Sequence, residues 1–266
     1  MDLISGQSQS IWIRGSFGAQ VAITALLCAA TLSCVQPGEM RTISSVVGYR
    51  DADSVSVIME MHSGDLSIEG GADSLLNCKF RFNVEGWEPY LNYAVQRGSG
   101  KLVLRQGRVT DLVLGETHNE WDLTMGGSVP TRLSVNLGSG SCAIHPAGLN
   151  LQHLQIEFGS GNCFLDLGGE WKKVMSAEIT CGVGELVVAL PPELTVVLRS
   201  DQVLSGLRST DFSPLENGGW VSAGGDPEDA VVVLQLNTGL GEVEFLRSDT
   251  LEGSPDRVGP GGRPDR

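Results

Sequence analysis

Apolar and polar residues alternate along this chain in short paired stretches joined by a small-residue hinge, and the arrangement recurs six times. The hinges are Ser63-Gly64-Asp65, Gly98-Ser99-Gly100-Lys101, Gly138-Ser139-Gly140-Ser141, Gly159-Ser160-Gly161-Asn162, Gly182-Val183-Gly184-Glu185 and Gly239-Leu240-Gly241-Glu242. Take Gly64, Gly100, Gly140, Gly161, Gly184 and Gly241 as position zero and read positions −7, −5, −3, +2 and +4. Of those 30 positions 28 are apolar, with Arg97 and Thr238 as the exceptions. The interleaved positions −6, −4, +1 and +3 hold 6 apolar residues out of 24, so each stretch has one inward and one outward face. Alternation at period two is the signature of half-buried strands. The glycines supply the positive φ or close approach that a change of direction needs.

Self-similarity at this period predicts a repeat array. A single unit buries about five apolar side chains, a gain comparable to the entropy of ordering its residues, so neighbours must stack to make a continuous core. The fold class expected is all-β, a stacked-rung, solenoid-like array. Position zero advances by 21 residues from Gly140 to Gly161 and by 23 to Gly184, with a further turn in each gap, which favours rungs. The alternation alone fits an antiparallel meander or sandwich equally well, and that architecture stays open. Two inserts widen the spacing: one between Gly64 and Gly140, holding Phe80, Phe82, Val84 and the stretch Asn119-Glu120-Trp121-Asp122-Leu123, and one over 200–230, rich in Gly, Pro, Ser and Asp.

Outside the array the composition changes. The apolar run from Phe17 to Leu32 is short for a membrane span and ends at Thr31-Leu32-Ser33-Cys34, where a small residue precedes a cysteine. Residues 1–33 are expected to be a lipoprotein-type signal peptide, with Cys34 as the lipidation site; cleavage elsewhere, or an uncleaved signal anchor, is the alternative. The expected organisation is then a tether over 34–47, the β-domain over 48–246 and a disordered tail over 247–266, which is rich in Gly, Pro, Asp and Arg. The localisation this implies is exported and anchored in a bacterial cell envelope, with the membrane itself as one partner.

The formal net charge is −14 and is unchanged when the leader is removed, because Asp2 and Arg14 cancel. With no basic cluster to neutralise phosphates, nucleic acid is excluded as a partner. Acidity of this size serves solubility at a surface. Candidate chemistry is sparse. The four histidines, His62, His118, His145 and His153, have no metal-ligand spacing, and no CxxC pair occurs. Cys142 and Cys163 occupy the same +2 position in adjacent units; stacked equivalents lie about 4.8 Å apart, which makes them a candidate disulfide. The same positions suit small buried hydrophobes. The +1 positions, Asp65, Lys101, Ser141, Asn162, Glu185 and Glu242, form a column in which Ca²⁺ is conceivable, but the lysine and the absence of the nonapeptide calcium repeat argue for a solvated edge. No catalytic residue, metal or cofactor is expected, and the chain reads as a non-enzyme. Asn119, Glu120, Trp121 and Asp122 form the densest polar–aromatic motif: one reading has Trp121 capping an array edge while Asn119 and Asp122 fix a turn, and the other makes the four the candidate interaction surface, since exposed aromatics flanked by acids recur in recognition.

On several of these motifs the chain resembles the toast-rack domain family, related to the C-terminal domain of LiaF-type cell-wall-stress proteins. The carriers are Ser63 to Ala72, Asn119 to Leu123, Leu137 to Gly140, Phe158 to Gly161, Gly182 to Leu186 and Leu190-Pro191-Pro192. The resemblance implies a β-rich stacked-rung domain, often exported, used for envelope stress sensing or protein contact and without catalysis. The expectation from residues and resemblance together is a lipid-anchored, exported β-domain presenting a surface to an envelope protein whose identity the sequence does not give. A glycan-binding or adhesin-like surface module is the alternative.

Overall fold

The computed structural model of the chain describes residues 34–108, 112–169, 171, 174–200, 207–208, 212–216, 218–222 and 224–247. The expected signal peptide and residues 248–266 of the expected tail lie outside the described residues. The strands are, in chain order, β1 (Cys34–Val35), β2 (Arg41–Val47), β3 (Ser54–Gly70), β4 (Leu76–Phe82), β5 (Tyr90–Gln96), β6 (Ser99–Arg105), β7 (Leu112–Val113), β8 (Asn119–Met125), β9 (Thr131–His145), β10 (Leu151–Asp166), β11 (Met175–Leu190), β12 (Val196–Ser200), β13 (Leu207–Arg208), β14 (Phe212–Pro214), β15 (Trp220–Ser222) and β16 (Val232–Arg247). One 3-10 turn, Pro227–Asp229, is the only helical element among the described residues. No helix there is long and apolar enough to cross a membrane.

Strands β3, β9, β10, β11 and β16 are 15–17 residues long and pair side by side, all parallel and in register. The register superimposes the repeat units: Gly64 lies opposite Gly140, Gly140 opposite Gly161, Gly161 opposite Gly184 and Gly184 opposite Gly241. This selects rungs and rules out the antiparallel meander for the body of the array. Each long strand also folds at its glycine. Leu137 and Cys142 are five residues apart, an odd spacing that would send them to opposite faces of a straight strand. Both are buried, as are Met61 with Leu66 and Phe158 with Cys163, and all belong to one hydrophobic cluster. The chain must therefore turn a corner between them, and the corner glycines carry the required φ, +137° at Gly64 and +130° at Gly140 and Gly161. A Cβ at Gly140 would overlap the carbonyl oxygen of Gly64, and one at Gly161 that of Gly140, so the corners stack too closely for any side chain.

Each rung thus has a first leg, a corner and a second leg. Short links such as 146–150, closed by the Leu149 N–H donating to the Pro146 carbonyl at 2.9 Å, return the chain to start the next first leg. The inward residues of both legs form the single core, from Val57 and Ile68 in β3 to Leu234 and Phe245 in β16.

Several expectations are corrected. The second counted unit is not a rung: Tyr90–Gln96 and Ser99–Arg105 form an antiparallel hairpin, turned by Arg97 and Gly98 at φ of 51° and 76°. Both turn residues have positive φ, as hairpins with a two-residue loop prefer. The outer side of β3 is covered instead by two separate strands, β6 along its first leg and β8 along its second. Residues 34–47 are not a free tether either. β2 pairs with β4 over seven residues, and β1 pairs with β7. Arg41 to Val47 alternates, with Val47 buried and Ile43 packed on the core, so hydrophobic contact and a paired edge hold it to the domain. At the far end the order is β11, β16, β12: the last strand in sequence inserts between two earlier ones, parallel to both.

Candidate interaction surface

Outward side chains of the second legs form rows across the sheet at strand spacing. The row one residue past the corner runs Glu120, Asp65, Ser141, Asn162, Glu185 and Glu242. Lys101 does not belong to it; it lies opposite Ser56 on the first-leg sheet. Within the row the Ser141 hydroxyl donates to an Asp65 carboxylate oxygen at 2.5 Å. Among the described residues no group of three or more His, Cys, Asp or Glu side chains converges as metal ligands would. The first-leg face is also polar. Asn136 donates to Glu157 at 3.2 Å, the Gln155 amide donates to Glu157 at 2.9 Å, and Arg105 pairs with Glu60 at 2.9 Å. On both faces side chains are bonded along and across the rungs.

The four residues of the polar–aromatic motif do not share a surface. β8 alternates, so Asn119, Trp121 and Leu123 point inward while Glu120 and Asp122 point outward. Trp121 is fully buried, with its ring edge-on to Phe80 at 5.1 Å between centroids. It therefore offers nothing to a partner, because period two placed it on the core side of its strand. Asn119 has a structural duty. Its amide N–H donates to the Ser63 carbonyl at 2.7 Å, and its Oδ1 accepts from the Trp121 indole at 3.1 Å. Gln106, buried, accepts from the backbone N–H groups of His62 at 2.7 Å and Ser63 at 3.1 Å. Two side-chain amides thus satisfy the corner of β3 on the side where no further long rung stacks, supplying the donors and acceptors a neighbouring corner would have given. Gln106 carried no periodic signal, since it follows the end of β6 in an insert.

The outward pair of that motif does form a surface. Arg81, opposite Glu120 on β4, ion-pairs with Glu120 and lies 3.6 Å from Asp122. Beside them Ser44, Val46, Asn77, Lys79, Asp122 and Thr124 line a shallow groove on the outer face of β2, β4 and β8. Cys142 and Cys163 sit directly opposite one another, buried, and both are free thiols in the structure. A hydrogen bond from one to the other, followed by burial, pushes the Cys163 thiol well above its ordinary pKa. Cys181 is raised by burial. Cys34 lies in β1, paired with Leu112.

Residues 36–189 match the family described as the N-terminal domain of toast_rack, DUF2154, which takes in β2 through most of β11. The chain belongs to the toast-rack family. Outside the matched part of this toast-rack chain lie β12 to β16, including the inserted last strand. No curated protein matches the chain. Among solved structures, a candidate cell adhesion protein from Clostridium sporogenes is 22% identical, covers 79% of this chain and all of its own, and superposes with a TM-score of 0.72. That likeness establishes a shared fold. A candidate adhesin from Bacteroides fragilis, 9% identical over 80% of this chain and 100% of its own, superposes with a TM-score of only 0.26 and carries no argument.

Proposed function

We propose that this toast-rack chain is an exported, non-enzymatic binding module of a bacterial envelope, held to the membrane through a lipid on Cys34. Its polar sheet faces meet a protein partner, with envelope stress sensing as one setting for that contact. The observation that carries this reading is the pair of broad faces whose outward residues repeat at strand spacing, such as the row from Glu120 to Glu242. A rigid stack offers a repeating array of hydrogen-bonding groups to an extended partner at little entropic cost. The anchor rests on the apolar run ending at Ser33-Cys34. It is tested by growing cells with a labelled fatty acid: covalent acyl label on the chain, lost in Cys34→Ala, is expected, and a parent chain that carries no label would refute lipidation.

An adhesin-like or glycan-binding module is the second reading, favoured by the name of the Clostridium sporogenes protein that shares the fold. Affinity capture from solubilised envelopes separates the two. Enrichment of one protein, lost on Glu120→Arg with Asp122→Arg, supports the first. Tight binding of isolated wall polymer with no protein recovered supports the second.

A further inference from the structure

The corner edge of the array and the opposite, link edge differ in what they expose. Across the corners, one residue before each glycine, Ser63, Ser139, Ser160, Val183 and Leu240 lie in register. This ridge is uncharged, and its last two members are aliphatic and exposed, Val183 by 52% and Leu240 by 86%. The N-terminal segment reaches the same edge. Arg41 pairs with Phe82, Phe82 with Asn119, and Glu120 with Asp65, so the start of β2 is level with the corner of β3. Met40, just before it, is 49% exposed, and Leu114, in the insert that joins β6 to β8 across the corner, is 53% exposed. Of seven large hydrophobic side chains exposed among the described residues, four therefore lie on the corner edge. A fifth, Tyr90, is at the corner-ward end of β5.

Cys34 emerges there as well. β1 pairs with β7 inside that insert, and the Leu114 N–H donates to the Val35 carbonyl at 3.1 Å. Only residues 35–40 separate Cys34 from β2, and the Gly38 N–H is bonded to the Asn83 carbonyl at 2.7 Å. A chain fixed to the bilayer at Cys34, whether by lipid or by the retained apolar run Phe17–Leu32, has no slack with which to stand off from it.

We propose that the corner edge lies flat on the lipid bilayer, with Met40, Leu114, Val183 and Leu240 dipping into the interface and the link edge, including 146–150 and 191–195, facing outward. From β2 to β16 the edge crosses eight neighbouring strands, roughly 34 Å at the usual spacing. Aliphatic tips at each end and hydroxyls between them suit the headgroup–acyl boundary. The occupant is lipid because the membrane-directed segment joins the domain on this edge. Charge opposes the contact and does not drive it: Glu120, Asp65, Glu185 and Glu242 line the row one residue past the corners, while Glu39, Glu116, Arg41 and Arg108 at the anchored end carry both signs. The docking should therefore persist in high salt.

This inference rests on the membrane attachment proposed above. The test uses the full chain, purified in detergent and reconstituted into vesicles of phosphatidylethanolamine and phosphatidylglycerol that carry a headgroup nitroxide lipid. A fluorophore is placed on the ridge through Ser160→Cys and, for comparison, near the link edge through Val174→Cys; Cys28 is replaced by serine, Cys34 is blocked by its lipid, and Cys78, Cys142, Cys163 and Cys181 are buried and stay unlabelled. Quenching several-fold stronger at 160 than at 174 is expected. Adding Val183→Asp and Leu240→Asp, both exposed and harmless to the core, should bring quenching at 160 down toward that at 174. Equal quenching at the two sites, or stronger quenching at 174, in chains that still float with the vesicles would overturn edge docking and leave attachment standing. Chains that do not float would overturn attachment and docking together.

Discussion

Replacing Gly161 by alanine should destabilise the domain far more than the same change at Gly148, although both glycines have positive φ. Gly161 sits in the middle of the corner column at φ +130°, and its added Cβ would overlap the backbone carbonyl oxygen of Gly140. Gly148, in the link after β9, has φ +80° with nothing within 4 Å of the added carbon. Conformational strain alone costs about 1–2 kcal/mol at a left-handed position such as 148. At 161 that strain is joined by a clash with backbone that can retreat only if two in-register rungs separate. Overpacking of this kind adds about 1–3 kcal/mol, and lengthened hydrogen bonds between β9 and β10 add to it. Gly161→Ala should therefore be less stable than Gly148→Ala by about 2 kcal/mol or more. Urea unfolding followed by far-ultraviolet circular dichroism measures both on the chain without residues 1–33. Equal midpoints for the two variants would refute close stacking of the corners.

Three further outcomes follow from the core and its cap. Ile156→Asp puts a carboxylate where the side chain is fully buried and should cost more than about 4 kcal/mol, whereas Gln155→Lys, one residue away on the outer face beside Glu157 and opposite Glu178, should unfold within about 0.5 kcal/mol of the parent; similar melting of the two would mean the faces are inverted. Asn119→Ala leaves the Trp121 indole N–H and the Ser63 carbonyl without their partner and should cost about 1–3 kcal/mol for each group left unsatisfied, read by thermal melting and by faster exchange of the amides around Ser63. The raised Cys163 pKa means the folded state holds its proton where the unfolded state has lost it, so this contribution is intact below the ordinary thiol range and stability falls as pH rises above about 8.5, by up to about 1.4 kcal/mol per pH unit. Cys163→Ala should lessen that alkaline slope, leaving the part from Cys181 and Cys78, whose thiols burial also raises, and an unchanged slope would show that this thiol is not a source of it.

The inward faces of the long rungs were legible because alternation and hinge glycine coincide in every one of them: Leu154, Ile156, Phe158, Cys163 and Leu165 are all buried as the pattern requires. The false rung at Gly100 shows the limit of that logic. A hairpin and a rung both need two alternating stretches around a glycine, and only the polar Arg97 at an inward position signalled the difference. Trp121 fits an edge cap and an exposed recognition residue equally by local pattern, because its flanking acids belong to the other face of the same strand. The docking of 34–47 and the insertion of β16 beside β12 depend on which distant edges are free to pair, and local pattern holds no record of that. Gln106 was invisible for a related reason. Its duty arises from an uncovered corner, which exists only once the rungs are stacked.

The central claim is that units far apart in sequence stack parallel and in register, each folded at its glycine so that successive corners are single strand spacings apart. Dipolar electron resonance between spin labels at Ser139→Cys and Leu240→Cys tests it most directly. Three strand spacings separate these sites in the stack, so a narrow distribution centred at about 14–15 Å between backbone positions is predicted. A meander that lays both legs of every unit side by side in one sheet would double the interval, and a distance near 29 Å would contradict the account.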